Sequence, residues 1–189
     1  MAREIPPGHQ PWLVQLLDLE AVADRIHVFG TNIPGWCQTP AYAAALATSD
    51  PHYVEDPDYA RRLAEIRVRR AQNVFDRKGV VVSMVIDEAA LVSQVGGTHI
   101  MHEQLAHLRA LAKKRAVAIR VLPFANGARS ATRGEFTLLE FDDANEPDLA
   151  YTETHLGGQY SVKTSMLKEL QWTYDRLVAQ SVHLREYER

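Results

Sequence analysis

The stretch from Val80 to Leu91, which reads VVVSMVIDEAAL, decides the fold. Its first part, to Ile86, is mostly β-branched and apolar, and this predicts a strand buried on both faces of a sheet. Two carboxylates, Asp87 and Glu88, follow directly. Ligand sites in α/β sheets lie just beyond the carboxyl ends of strands, so both side chains are candidates for a site. In the alternative interpretation, Asp87 caps the following helix and Glu88 pairs with an arginine.

The composition is typical of one globular domain. Of the 189 residues, 46% are hydrophobic and 24% are charged, and the net charge of −3 argues against bulk attraction to nucleic acid. No apolar run approaches the roughly 20 residues that span a bilayer, and the N-terminus lacks a signal peptide's apolar core. The single cysteine, Cys37, excludes an internal disulfide and suits a reducing compartment. We therefore predict a cytoplasmic protein with a flexible leader, 1–11, and one domain, 12–189.

Segments with apolar residues at helical spacing come before and after the strand predicted from Val80 in the sequence. Thr39 and Thr98 stand where N-caps are expected, and Gly30 stands where the first helix would end. The predicted helices cover 12–29, 40–47, 57–77, 88–92, 98–115 and 163–184.

Further strands are predicted over 117–122, 136–141 and 149–154. The order of strand, helix and strand between residues 80 and 122 predicts a parallel βαβ crossover. The polar segment 142–148 predicts a hairpin between the last two strands. The predicted fold is α/β: a single domain with an approximately four-stranded mixed sheet covered by helices.

Two arginines of the helix predicted over 57–77, Arg67 and Arg70, lie on the same face as its apolar residues. This position predicts that both side chains are buried. A buried guanidinium needs an anionic partner, so the pair forms either structural ion pairs or a grip on an anionic ligand. Glu153, on the same strand face as Tyr151, would serve as a partner if helices cover that face. Together with Glu88 it would place two carboxylates in one cavity, where burial could turn one into an acid or base.

Cys37 precedes a predicted helix start, where the positive helix end would stabilise a thiolate. As a nucleophile it would need a histidine base, and the alternative is an inert buried thiol. The histidines His99, His102 and His107, with Glu103, spread over roughly 140° of one helix surface. This spread does not suit one closed metal site, so we predict no metal and no cofactor.

Several motifs lie in the order of a known family. Residues 33–43, IPGWCQTPAYA, resemble the IPGLLQTxxYA motif of the actinobacterial DUF5753 domain. Residues 67–71, RVRRA, resemble its RxxRQ segment, and residues 87–91, DEAAL, with the later VGG at 95–97 resemble its DEAAL…vGg. The similarity covers about residues 12–180. Two departures are Trp36 with Cys37 in place of paired leucines, and Ala71 in place of glutamine.

In that family the domain usually forms the C-terminal part of XRE-type helix-turn-helix regulators, including antitoxin-like ones. The resemblance therefore implies a regulatory domain that binds a small molecule or a partner protein. No helix-turn-helix precedes residue 12, so we expect neither direct binding to nucleic acid nor membrane association, and Met1 favours a stand-alone protein. Assembly into a homo-oligomer stays open.

The implied pocket lies at the strand ends. The residues expected to line it are Trp36, Gln38, Tyr42, Arg67, Arg70, Glu88, Tyr151 and Glu153. The alternative function is a stand-alone enzyme of small-molecule (secondary) metabolism. In that case Glu88 or Glu153 would act as the acid or base, with Cys37 or Tyr42 assisting.

Overall fold

The computed structural model describes residues 11–49, 57–126, 134–154 and 156–188. They form six α-helices and one seven-stranded mixed sheet with the order β6-β5-β4-β1-β2-β3-β7. The helices are α1 (Pro11–Glu20), α2 (Pro40–Ser49), α3 (Pro57–Phe75), α4 (Glu88–Val92), α5 (Thr98–Leu111) and α6 (Thr164–Gln180). The strands are β1 (Arg25–Gly30), β2 (Val81–Asp87), β3 (Val117–Leu122), β4 (Phe136–Glu140), β5 (Leu149–Thr154), β6 (Gly157–Ser161) and β7 (Val182–His183). Of the predicted leader, residues 1–10 lie outside the described residues and Pro11 begins α1.

The central strand of the sheet is β1. The prediction of one helix over 12–29 is wrong for the residues that form this strand. The helix ends at Glu20, and the chain is extended again from Arg25. Ile26 happens to continue the helical spacing of α1, but β-branched residues are also well suited to a pleated, buried surface. Pairing decides between the two, because β1 is parallel to β2 on one side and antiparallel to β4 on the other.

The predicted α/β class, the parallel crossover and the hairpin are confirmed. β2 pairs in parallel with β3, with α5 between them in sequence, and β4 pairs antiparallel with β5. The predicted count of about four strands is too low, because β1, β6 and β7 were not recognised. β6 contains two glycines, and β7 follows α6 at Gln180, before the predicted helix end at 184.

The sheet has a hydrophobic core on each face. On one face α6 supplies Tyr174 and Leu177, which pack against Phe29, Val85 and Leu138. On the other face α1 and α5 pack over residues from every central strand, including Ile26, Met84 and Ile119. The layers are therefore helix, sheet and helix, as expected for strands that are apolar on both faces.

Two of the predicted caps are confirmed and one is wrong. Asp87 caps α4, since its carboxylate accepts a hydrogen bond from the backbone N–H of Ala89 at 2.8 Å. The Thr39 hydroxyl accepts one from the N–H of Tyr42. At α5 the N-cap is Gly97 instead of Thr98. None of the described helices is both long and apolar enough to cross a lipid bilayer.

Candidate functional site

A pocket of about 760 Å³ opens at the carboxyl end of β1. Its walls come from α1, the segment after β1, α3, the start of β4 and the end of β5. Of the predicted residues, it is lined by Trp36, Gln38, Arg67, Arg70, Tyr151 and Glu153. Tyr42, Glu88 and Cys37 are not part of the lining. The structure thus brings six of the eight predicted residues to one pocket, at the end of β1.

Arg70 is held by a carboxylate that sequence reasoning missed. Glu20, at the end of α1, accepts hydrogen bonds from Nε of Arg70 at 2.7 Å and from Nη2 at 2.6 Å. Only 1% of the Glu20 side chain and 11% of the Arg70 side chain are exposed. The signal was present in the sequence, because Glu20 follows Leu13 and Leu16 on one helical face. The predicted partner of Arg70, Glu153, does not form this ion pair.

Arg67 lies beside Arg70 but has no carboxylate partner. Its Nε donates to Oε1 of Gln38 at 3.2 Å, and among the described residues no acidic group lies within ion-pair distance. Burial and the neighbouring Arg70 charge lower the pKa of Arg67 to about 10. The pocket therefore contains a guanidinium whose charge is only partly balanced, and an anion placed there would stabilise the charged form.

The chain after β1 passes very close to both guanidinium groups at Gly35. A Cβ added at this position would lie 2.5 Å from Nη1 of Arg67 and 2.7 Å from Nη1 of Arg70. Only glycine permits this approach without moving the arginines. The glycine of the IPG motif thus has a physical role in the pocket wall.

A fully buried glutamine of α5, Gln104, fixes the same segment from behind. Its Oε1 accepts a hydrogen bond from the N–H of Thr39, and its Nε2 donates to the carbonyl of Cys37, both at 2.7 Å. Gln38, between these two residues, donates from Nε2 to the carbonyl of Ile33 at 2.8 Å. The Gln38 amide is thereby oriented so that its oxygen faces Arg67.

The opposite wall is formed by Tyr151 and Glu153 of β5. The Tyr151 hydroxyl donates a hydrogen bond to Oε2 of Glu153 at 3.0 Å. Burial and the Glu153 carboxylate raise the pKa of the Tyr151 phenol well above its ordinary value. Glu153 itself is exposed, so the expectation that it is buried against Arg67 or Arg70 is wrong.

Glu88 lies outside this pocket and serves a different purpose. Its two carboxylate oxygens accept hydrogen bonds from the N–H of Phe124, at 2.6 Å, and from the Tyr187 hydroxyl, at 2.9 Å. These contacts join the end of β2 to the segment after β3 and to the C-terminal segment. The predictions that Glu88 shares a cavity with Glu153, or lies beside Arg67 and Arg70, are therefore wrong.

Tyr42 and Cys37 belong to the hydrophobic core. Their exposed fractions are 1% and 0%. Cys37 ends a short 3-10 helix, Gly35–Cys37, and its Sγ lies 3.8 Å from Sδ of Met84. Burial raises the pKa of the Cys37 thiol well above its ordinary value. The interpretation as an inert buried thiol fits these contacts, whereas a stabilised thiolate does not.

The Cys37 thiol should be protected from reagents in the folded protein. Because the side chain is fully buried and its thiolate is disfavoured, we expect no reaction with a chromogenic disulfide reagent on the time scale of minutes. In strong denaturant the same sample should release one equivalent of chromophore. Rapid stoichiometric reaction of the native protein would contradict this arrangement.

The histidine-rich face of α5 does not bring its members together. His99 and Glu103 lie 3.7 Å apart on an exposed surface, and His107 is separately half-buried. Across the part of the chain that the structure describes, no group of three or more histidine, cysteine or acidic side chains is arranged to hold a metal ion.

Comparison with known proteins identifies the family. A family model, described as a domain of unknown function (DUF5753), matches residues 13–186. No curated protein matches the chain. The matched range contains most of α1, every later element to β7 and the whole described pocket lining. The chain therefore belongs to the DUF5753 family.

Proposed function

We propose that this chain is a regulatory effector domain that binds a small anionic molecule in the pocket at the end of β1. The observation that carries the proposal is Arg67, a partly buried guanidinium in the pocket wall that forms no ion pair with any acidic side chain in the described part of the chain. Arginine binds carboxylate and phosphate groups through paired N–H donors. The regulatory role follows from the resemblance to the effector part of helix-turn-helix regulators.

The size and lining of the pocket support binding of a metabolite. A volume of about 760 Å³ lies within the usual range for small-molecule sites. Apolar side chains make up much of the wall, and polar side chains, among them Arg67, Arg70 and Glu153, make up much of the rest. The apolar residues are Leu13, Leu16, Val28, Phe29, Ile33, Pro34, Trp36, Leu46 and Phe136.

The polar groups are also held in place before any ligand arrives. Arg70 is fixed by Glu20, and Gln38 is fixed by the Ile33 carbonyl while it holds Arg67. A preorganised site loses less conformational entropy on binding, which favours affinity. This arrangement supports recognition of a specific ligand over loose adsorption.

The enzymatic alternative has less support from the geometry. Of the groups it would use, Glu88, Cys37 and Tyr42 lie outside the pocket lining, and only Glu153 is part of it. Glu153 is exposed and accepts a hydrogen bond from Tyr151, so it is not the buried carboxylate that the enzymatic alternative called for. Binding therefore explains the site with fewer assumptions than catalysis.

A matched pair of variants on α3 tests the proposal. A thermal-shift screen of carboxylate and phosphate metabolites should yield a ligand that raises Tm, and titration calorimetry then gives Kd. Arg67→Gln should weaken that ligand about 10- to 150-fold, because it removes a charged hydrogen-bond partner. Arg69→Gln, on the exposed side of the same helix, should leave Kd unchanged. Equal effects of the two variants, or a screen without any anionic ligand, would refute the proposal.

A further inference from the structure

We infer that the ligand is amphoteric, with an anionic group that binds Arg67 and a protonated amine that binds Glu153. The inference rests on the proposed function, because it specifies the chemical class of molecule that the same pocket takes. It follows from which charged side chains on the two walls of the pocket form ion pairs and which do not.

On the α3 side, one positive charge is balanced and the other is not. Glu20 engages Arg70 through both carboxylate oxygens, so this pair is nearly neutral as a unit. Among the described residues, Arg67 forms a side-chain hydrogen bond only with the neutral amide of Gln38. A ligand anion therefore gains most by meeting Arg67, with the amide of Gln38 close to the same point.

On the β5 side, one negative charge lacks a cationic partner. Glu153 accepts a hydrogen bond from Tyr151 through Oε2, and within the described ranges it forms no ion pair with a basic side chain. The raised pKa of Tyr151 keeps the phenol protonated, so it remains a donor that holds the carboxylate in place. Oε1 of Glu153 stays available to a ligand.

These two charges line one pocket without pairing with each other. Arg67 and Glu153 are too far apart for an ion pair, since none within 4.0 Å joins them. A ligand with only a negative charge would be attracted by Arg67 but repelled by Glu153. A ligand with only a positive charge would be attracted by Glu153 but repelled by Arg67. A molecule with both charges satisfies both walls at once.

The rim and the apolar lining favour the same class of molecule. Glu135 adds a second negative charge at the rim, where the N–H of Thr31 and the amide of Asn32 hold its carboxylate at 2.9 and 3.2 Å. Between the charged walls lie apolar side chains such as Leu13 and Leu46. An amphoteric molecule with an apolar middle, such as a hydrophobic amino acid or a short peptide, matches this distribution.

Three forms of one dipeptide provide the test on the full chain. Leucyl-leucine carries both charges, N-acetyl-leucyl-leucine carries only the anion, and leucyl-leucine amide carries only the cation. Calorimetry should show that leucyl-leucine binds at least about 10-fold more tightly than either blocked form. Glu153→Gln should abolish its advantage over the N-acetyl form, whereas Glu65→Gln, on the exposed face of α3, should preserve it.

The outcomes separate this inference from the proposed function. If the N-acetyl form binds as well as leucyl-leucine and Arg67→Gln weakens both, the inference is wrong and the anion site stands. If a carboxylate from the wider screen binds through Arg67 while no dipeptide form binds, the inference is again wrong. If no anion of any kind binds, both are wrong.

Discussion

Replacing Glu20 by glutamine should lower the free energy of unfolding by about 3–5 kcal/mol, as measured by urea denaturation. The change leaves the Arg70 guanidinium, of which 11% is exposed, without its carboxylate. It also leaves two neighbouring positive charges, Arg70 and Arg67, in one pocket wall. Loss of one partner of a buried ion pair is costly because the other charge stays desolvated.

The matched control is Glu65→Gln on α3. Glu65 pairs with Arg61 at 2.8 Å, but these side chains are 63% and 61% exposed. An exposed pair of this kind contributes little to stability, because water and salt screen the two charges. If the two variants lost similar amounts of stability, the Glu20–Arg70 pair would not be the buried structural contact described above.

Gln104→Leu should cost about 2–4 kcal/mol of unfolding free energy. The substitution removes the side-chain amide of Gln104, leaving its two partners, the Thr39 N–H and the Cys37 carbonyl, without these hydrogen bonds in the interior. Each buried polar group left unpaired costs about 1–3 kcal/mol. Hydrogen exchange at the Thr39 amide should accelerate as well, since this amide loses its acceptor.

Gln94→Leu provides the comparison for that variant. Gln94 is exposed in the turn before α5, and its amide donates to the Val92 carbonyl at 3.3 Å. Surface substitutions of this kind usually change stability by less than about 0.5 kcal/mol. A Gln104→Leu protein as stable as Gln94→Leu would show that the amide does not hold the segment after β1.

The parts of the fold that sequence reasoning predicted have strong local patterns. The run that forms β2 is mostly apolar, and this composition predicted a strand buried on both faces, as the structure shows from Met84 to Asp87. Arg67 and Arg70 were assigned to the inner face of α3 because their spacing matches that of its apolar residues. The polar segment between β4 and β5 likewise predicted the hairpin from local sequence alone.

The parts that sequence reasoning missed depend on partners distant in the chain. Ile26 fits the spacing of a helix as well as a strand, and only the pairing of β1 with β2 and β4 decides between them. Glu88 has the residue type and the strand-end position of a site residue. Its role became visible only with Phe124 and Tyr187, which arrive from other segments. Local periodicity carries no information about such contacts.

The central position of β1 has a consequence for folding during synthesis. One of its neighbours, β4, lies far along the chain: the Arg25–Glu140 side-chain hydrogen bond spans 115 residues. Until β4 has been synthesised, β1 keeps one edge unpaired, and an open edge is a template for association with other chains. The pairing of β1, the strand that supports the pocket, is thus completed late in synthesis. Nascent chains that end before β4 expose one edge of β1, and this edge is prone to aggregation.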